Sequence, residues 1–146
     1  MMLSRHALLA IAAVVDVALH ARPVPVAARA LAERLNLPPR HLETLLQALV
    51  RANILKGVRG PRGGYELARE RRRVSAGDIV RAVMEEEAAD PGKARPRLVQ
   101  EVVMPLVATA ATTFLDALDA ICIDDLCRKA NETAAAANAL GNDFTI

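Results

Sequence analysis

Aromatic side chains are nearly missing from this chain, with one Tyr, two Phe and no Trp in 146 residues. Such scarcity argues against a β-sandwich or barrel, whose strands draw on those residues. Cysteine is also scarce. Cys122 and Cys127, five apart, are too few for a secreted disulfide framework. No unbroken uncharged apolar run reaches the roughly 18 residues of a membrane span. The longest, residues 102–115, is interrupted by Pro105 and three threonines. Asp16 and His20 follow the first apolar stretch with no cleavage-like segment, so no signal peptide is expected and the cytoplasm is the expected compartment.

Alanine, by contrast, is abundant at 29 residues, within a composition that is 53% apolar and 25% charged. That composition can bury a core and favours closely packed helices. The net charge of +2 hides a division along the chain. Residues 1–86 carry 14 Lys+Arg against 8 Asp+Glu, and residues 87–146 carry 5 against 9. A basic first half faces an acidic second half.

Apolar residues at Leu8, Ile11, Val15 and Ala18 step at helical spacing and predict an amphipathic helix from about Ser4 to Leu19. Residues 22–25, Arg-Pro-Val-Pro, stop it. A short helix is expected over about Val26–Leu35, with Asn36 as a left-handed cap and Pro38-Pro39 opening the next helix. That next helix repeats Leu42, Leu45, Leu46 and Leu49 on one face and shows Arg40, Glu43, Thr44, Gln47 and Arg51 on the other. Two helices joined by a turn of about four residues read as a helix-turn-helix, although a generic helical hairpin has the same pattern.

The following segment favours the first reading. Residues 54–58 and 65–67 read as paired strands around a turn, Arg59-Gly60-Pro61-Arg62-Gly63-Gly64. A hairpin after a helix-turn-helix is a wing, and a basic tip suits DNA phosphates or the minor groove. An ordinary solvated hairpin is the alternative. Arg69, Arg71, Arg72 and Arg73 then precede a capping-box-like Ser75-Ala76-Gly77-Asp78, with phosphate contact or a solvated turn as the two readings of the arginines.

Residues 87–97 read as an acidic, flexible linker. Beyond them, Met104, Val107, Ala111, Phe114, Leu118 and Ile121 form a heptad-like seam that would pair with a second copy or fold back on the first domain. The expected division is a winged helix-turn-helix domain over 1–86, a linker over 87–97, a dimerisation helix region over 98–130 and a tail over 131–146. The fold class is mainly α, with a small β-hairpin wing and a long C-terminal dimerisation helix.

Several stretches resemble the IscR/NsrR/CymR family of bacterial winged helix-turn-helix regulators: Met2-Leu3-Ser4, Asp16-Val17-Ala18-Leu19, Leu31-Ala32-Glu33-Arg34, Leu42-Glu43 and above all Val58 to Tyr65. The last fits the wing signature R-G-x-x-G-G-Y. This resemblance covers residues 1–86 well and the later helix in general layout. It implies a homodimer that reads a pseudo-palindromic DNA operator, with the third helix in the major groove and the wing in the minor groove. By position it makes Glu43 the acidic residue of the recognition helix and Arg59 the wing arginine. Gly60, Pro61, Gly63, Gly64 and Tyr65 become the wing frame. Arg40 and His41 replace a common Ser-Tyr pair, so base preference should differ. Arg40 suits guanine or phosphate, Gln47 adenine and Glu43 cytosine N4. Thr44 and Arg62 complete the candidate DNA-binding set with Arg40, His41, Glu43, Gln47 and the wing.

Many members of the family this chain resembles hold an iron–sulfur cluster through three cysteines in the loop after the fourth helix, with a fourth ligand near the N-terminus or in that loop. Here residues 87–100 contain no Cys and no His, and Leu8 and Ala12 stand where some relatives carry a ligand. A cluster-free member with no metal or cofactor is therefore expected. On one continuous helix, Cys122 and Cys127 would lie some 140° apart and share one metal poorly. Small buried hydrophobes are their plain reading, with a thiol switch or cross-subunit metal site as alternatives. Asp124 and Asp125 would raise rather than lower thiol pKa. His6, His20 and His41 lack companions at ligand spacing. No nucleophile–base pair or phosphate loop supports an enzyme. The functional expectation is a dimeric, cytoplasmic repressor of transcription that occludes its operator and has no membrane partner. The alternative is a protein-interaction module, or a redox or metal sensor, of the same fold.

Overall fold

A computed structural model describes residues 2–89, 92 and 94–143. Its elements are α1 (Arg5–His20), α2 (Ala28–Leu35), α3 (Pro39–Arg51), β1 (Leu55–Val58), β2 (Gly64–Leu67), α4 (Ala76–Ala88), α5 (Met104–Asp119) and α6 (Ile123–Asp143). Ser4 caps α1 by accepting the Ala7 N–H at 3.1 Å. Asn36 ends α2 at φ 52°, the left-handed value that lets Leu37 N–H reach back to the Ala32 carbonyl. Three residues then lead into α3, where Pro39 occupies the first turn. Asn53, at φ 58°, closes α3 in the same manner and delivers the chain to β1.

The leucines of α3 explain why it sits where it does. Leu42, Leu45, Leu46 and Leu49 are all buried, against Val14 and Val17 of α1 and Ile79 and Val83 of α4. Each buried side chain contributes about 1.5–3 kcal/mol of transfer free energy, so this stripe fixes which face of α3 meets solvent. The hairpin pairs Leu55 with Leu67 through Val58 with Gly64 in an antiparallel register. Val26 and Tyr65 exchange both backbone hydrogen bonds, at 2.9 and 2.8 Å, which moors the hairpin to the lead-in of α2.

The C-terminal half departs from the expected plan. The helix over 98–130 is two helices. A π-helical turn at Val99–Val103 precedes α5, and the chain breaks after Asp119 before α6 begins at Ile123. The break has a cause: Ser75 and Cys122 form a β-bridge in which Ala76 N–H donates to the Ile121 carbonyl and Ile123 N–H to the Val74 carbonyl, both at 2.8 Å. Ile123 and Cys127 thereby enter the core built by α1, α3 and α4. Cys122 lies before α6 and Cys127 within it, so the rotation worked out for one continuous helix does not apply. On the linker side, α4 runs on through Ala88; Asp90, Pro91 and Lys93 fall outside the described residues. The Ala-rich stretch over 131–140, which its composition marks as helical, continues α6, which runs to Asp143; residues 144–146 lie outside the described residues.

Two ion pairs lock this arrangement. Asp16 on α1, only 9% exposed, receives Arg34 of α2 through Nε at 2.9 Å and Nη2 at 2.8 Å, while His20 Nδ1 lies 2.8 Å from the Asp16 carbonyl and 3.4 Å from its carboxylate. His20 is thus not the isolated histidine the sequence suggested. Arg81 of α4 grips Asp119 at the end of α5 with 2.7 and 2.9 Å hydrogen bonds. Those bonds, with the Ser75 hydroxyl, hold the Asp119 carboxyl below the usual carboxylate range. A Cβ on Gly77 would strike that carboxylate, so a larger residue there would displace Asp119 from its place beside Arg81.

Candidate nucleic-acid interface

With the leucine stripe of α3 buried, Arg40, His41, Glu43, Thr44 and Gln47 are left exposed on its opposite face. Among the described residues none of these five side chains has a hydrogen bond or ion pair within the chain. They are therefore available to an external partner. Arg51, on the last turn, is not: its Nη2 is 3.1 Å from Glu86, which ties α3 to α4.

The hairpin supplies the second half of the surface. Arg59, Gly60, Pro61 and Arg62 are exposed at its tip, and neither arginine has a carboxylate partner. Lys56 and Glu66 neutralise each other across the strands at 3.1 Å. The glycines have separate tasks. Gly60 sits at φ 120°, which L side chains rarely adopt. Gly63 donates its N–H to the Gly60 carbonyl at 2.9 Å, and a Cβ there would run into the Val58 carbonyl. A Cβ on Gly64 would run into the backbone of Val26. The R-G-x-x-G-G-Y pattern is thus a steric requirement: one glycine turns the tip, one closes it, and one lets the hairpin lie against the α2 lead-in.

Tyr65 joins the two halves. A shallow cavity of about 330 Å³ is lined by Gln47, Val50 and Arg51 of α3 together with Gly57 and Tyr65 of the hairpin. The structure therefore brings Gln47 and the wing base to one cleft, with the rest of the α3 face and the Arg59–Arg62 tip flanking it.

Three arginines of the run after the hairpin make contacts within the fold, while Arg72 and Arg73 stay exposed to solvent. Arg71 donates to the Ala18 carbonyl at the end of α1, Arg72 lies 3.9 Å from Asp124, and Arg69 donates to the Asn53 carbonyl at 3.1 Å. These contacts, invisible from the charge pattern, staple α1, α3 and α6 together. The two ion pairs were also missed. A lone Asp within the apolar first helix was the available signal, since a buried carboxylate needs a partner.

Of the six residues on the expected dimer seam, Val107, Ala111 and Phe114 face a cavity shared with α1 and α4. Leu118 is half-buried, and Ile121 lies past the end of α5 in the bridge to Ser75. Met104 opens α5 and takes a hydrogen bond from Arg95 on its sulfur at 3.2 Å. Exposed apolar residues along this helical stretch are Leu98, Val102, Val103, Leu106 and, from the expected seam, Met104 and Val107, with Leu106 at 79%. Residues Val99–Asp119 form a 21-residue helical stretch of mean hydropathy 1.4, none of it buried within the chain. By length and composition this is enough to cross a membrane, a possibility that counting unbroken apolar residues had missed.

For a metal, the donors do not fit. Among the described residues no three His, Cys, Asp or Glu side chains come together. Cys127 is buried, and burial pushes its thiol up, with Arg71 opposing and Asp124 adding. Cys122 is half-buried and its backbone N–H donates to Asp125 at 3.1 Å.

Comparison with known proteins agrees with this geometry. The Rrf2 family model, described as "Iron-dependent Transcriptional regulator", matches residues 3–129. A putative HTH-type transcriptional regulator of Synechocystis, slr0846, is 43% identical over 79 residues, covering 54% of this chain and 52% of the relative. The protein rrf2 of Nitratidesulfovibrio vulgaris is 28% identical over 120 residues, 80% of each chain. The chain thus spans about half the length of the slr0846 relative and also of IscR from Vibrio atlanticus, at 52% and 50%. Among solved structures, T. potens IscR superposes with a TM-score of 0.69 at 29% identity, over 91% of this chain and 90% of that one. CymR of Staphylococcus aureus, oxidized form, does so at 0.64 and 26%, over 87% and 96%. With a helix-turn-helix carrying a glycine-framed hairpin, and with most of its length matched, this chain belongs to the Rrf2 family of transcriptional regulators.

Proposed function

We propose that the chain is a sequence-specific DNA-binding repressor, acting in the cytoplasm as a homodimer without an iron–sulfur cluster. The observation that carries this reading is the set of unpaired polar side chains on α3 beside two unpaired arginines at the wing tip. Lys56 and Glu66 neutralise each other on the same hairpin, while Arg59 and Arg62 keep their charge available to an external anion. In this reading α3 enters the major groove, with Arg40, Glu43 and Gln47 meeting base edges and His41 and Thr44 beside them. The wing follows the backbone into the minor groove through Arg59 and Arg62.

The exposed stripe that leads into α5, Leu98, Val102, Val103 and Leu106, serves as the subunit contact, and Pro105 and the threonines within the helix fit a protein interface better than a membrane span. Two such subunits would present two α3 helices to a pseudo-palindromic site. Residues 87–100 contain no Cys or His, and among the described residues no three His, Cys, Asp or Glu side chains gather into a ligand set. Regulation by occupancy needs no chemistry, so the chain is read as a regulator and not an enzyme. Selection from a random duplex pool tests the reading: enrichment of one palindromic sequence supports it, and retention blind to sequence contradicts it. Protein purified without oxygen should contain no stoichiometric iron or sulfide.

A further inference from the structure

Between the start of α1, the last two turns of α4 and the middle of α5 lies a cavity of about 430 Å³. Its walls are apolar side chains, among them Ala7, Val83, Met84, Val107 and Phe114. Only two polar side chains reach it. Ser4 is already engaged as the α1 cap. Glu87 is half-buried at the rim and has no ion pair or hydrogen bond among the described residues. Two neighbouring carboxylates are committed elsewhere, Glu86 to Arg51 and Asp119 to Arg81.

An apolar groove with one unpaired carboxylate at its rim has a definite complement. The volume lies in the range of small-molecule sites, and the flexible thioether of Met84 adapts to varied shapes. We propose that this cavity binds an amphipathic organic cation, its apolar body between α4 and α5 and its ammonium group against Glu87. Taken with the DNA-binding reading on which its regulatory meaning rests, this is the effector site. The route to DNA is short: Glu86, the next residue, carries the ion pair to Arg51 at the end of α3. A ligand that shifts the last turn of α4 shifts the anchor of the recognition helix.

The test is calorimetric titration of the full chain with phenylbutylammonium, phenylbutanol and phenylbutyrate. The cation should bind at least about fivefold tighter than the alcohol, and the carboxylate should bind weakest. Glu87→Gln should erase the difference between cation and alcohol while leaving the alcohol unchanged. Ala111→Phe, which fills the groove, should abolish all three. Because Glu87 is at the surface, the Gln variant carries the test even if the Phe variant misfolds. Equal affinity for the three probes, no binding, or an unaffected Gln variant would overturn the proposal. Binding that appears only on dilution to monomer would also overturn it, since a second copy would then be the occupant. DNA retention with and without phenylbutylammonium is read separately. A chain that binds the probe but no DNA refutes the regulator reading alone; a chain that binds DNA with an affinity indifferent to saturating probe refutes the effector role.

Discussion

Replacing Arg34 with Met removes the guanidinium from a carboxylate that is almost wholly buried. Asp16 is 9% exposed and receives two hydrogen bonds below 3 Å from Arg34. Breaking a fully buried pair from one side costs about 3–5 kcal/mol, because the remaining charge is stranded. Arg34 is 38% exposed on its side chain, so water re-solvates part of the carboxylate and the cost falls to about 2 kcal/mol. For a chain of this size that is roughly 4–8 °C in Tm. Thermal and urea unfolding followed by far-UV circular dichroism at neutral pH reads it. The decisive comparison adds Asp16→Leu to Arg34→Met. With neither charge left behind, the double variant should be more stable than Arg34→Met alone. A single variant within about 0.5 kcal/mol of wild type, or a double variant less stable than the single, would refute the stranded-charge argument.

Gly64→Ala should destabilise the chain by about 1–3 kcal/mol and weaken DNA binding, because the methyl group displaces the hairpin from Val26; hydrogen exchange at the Val26 and Tyr65 amides would report it. Leu106→Glu should convert dimers to monomers in light scattering while leaving helix content unchanged, as this residue is 79% exposed. Cys122 should react with iodoacetamide well before Cys127, whose thiol is buried and held neutral; equal rates in the folded chain would contradict that placement. Asp119 should titrate below the ordinary carboxylate value, so the stability it lends is present above about pH 4 and is lost as pH falls through its depressed folded pKa. In Arg81→Gln its carbon-detected NMR midpoint should return toward the ordinary value.

The N-terminal domain was legible because its determinants are local. Helical spacing located α1 and α3, Asn36 and Pro39 fixed the turn between α2 and α3, and three glycines in one short segment announced the wing. The break between α5 and α6 was hidden for the opposite reason. Nothing near Ala120 forbids a helix; the chain turns there because residues 45 positions earlier offer a β-bridge and Arg81 pins Asp119. A heptad-like seam likewise does not reveal whether its partner is a second copy or the same chain. Val107 and Phe114 face α4, and the free stripe begins earlier, at Leu98. Arginine runs carry the same ambiguity: charge density alone does not separate Arg59, which is free, from Arg71, which holds the end of α1.

DNA reading by α3 and the wing is the property on which the proposed function rests. Measuring affinity for the selected operator and for a scrambled duplex from 50 to 200 mM salt (roughly the range over which phosphate contacts are weakened), with wild type and Arg59→Ala, tests it most directly. Wild type should prefer the operator by about 10³-fold or more. Arg59→Ala should lose at least about 1 kcal/mol of operator affinity and flatten the salt slope by about one. Equal affinity for both duplexes, or an Arg59→Ala variant indistinguishable from wild type at every salt concentration, would contradict it.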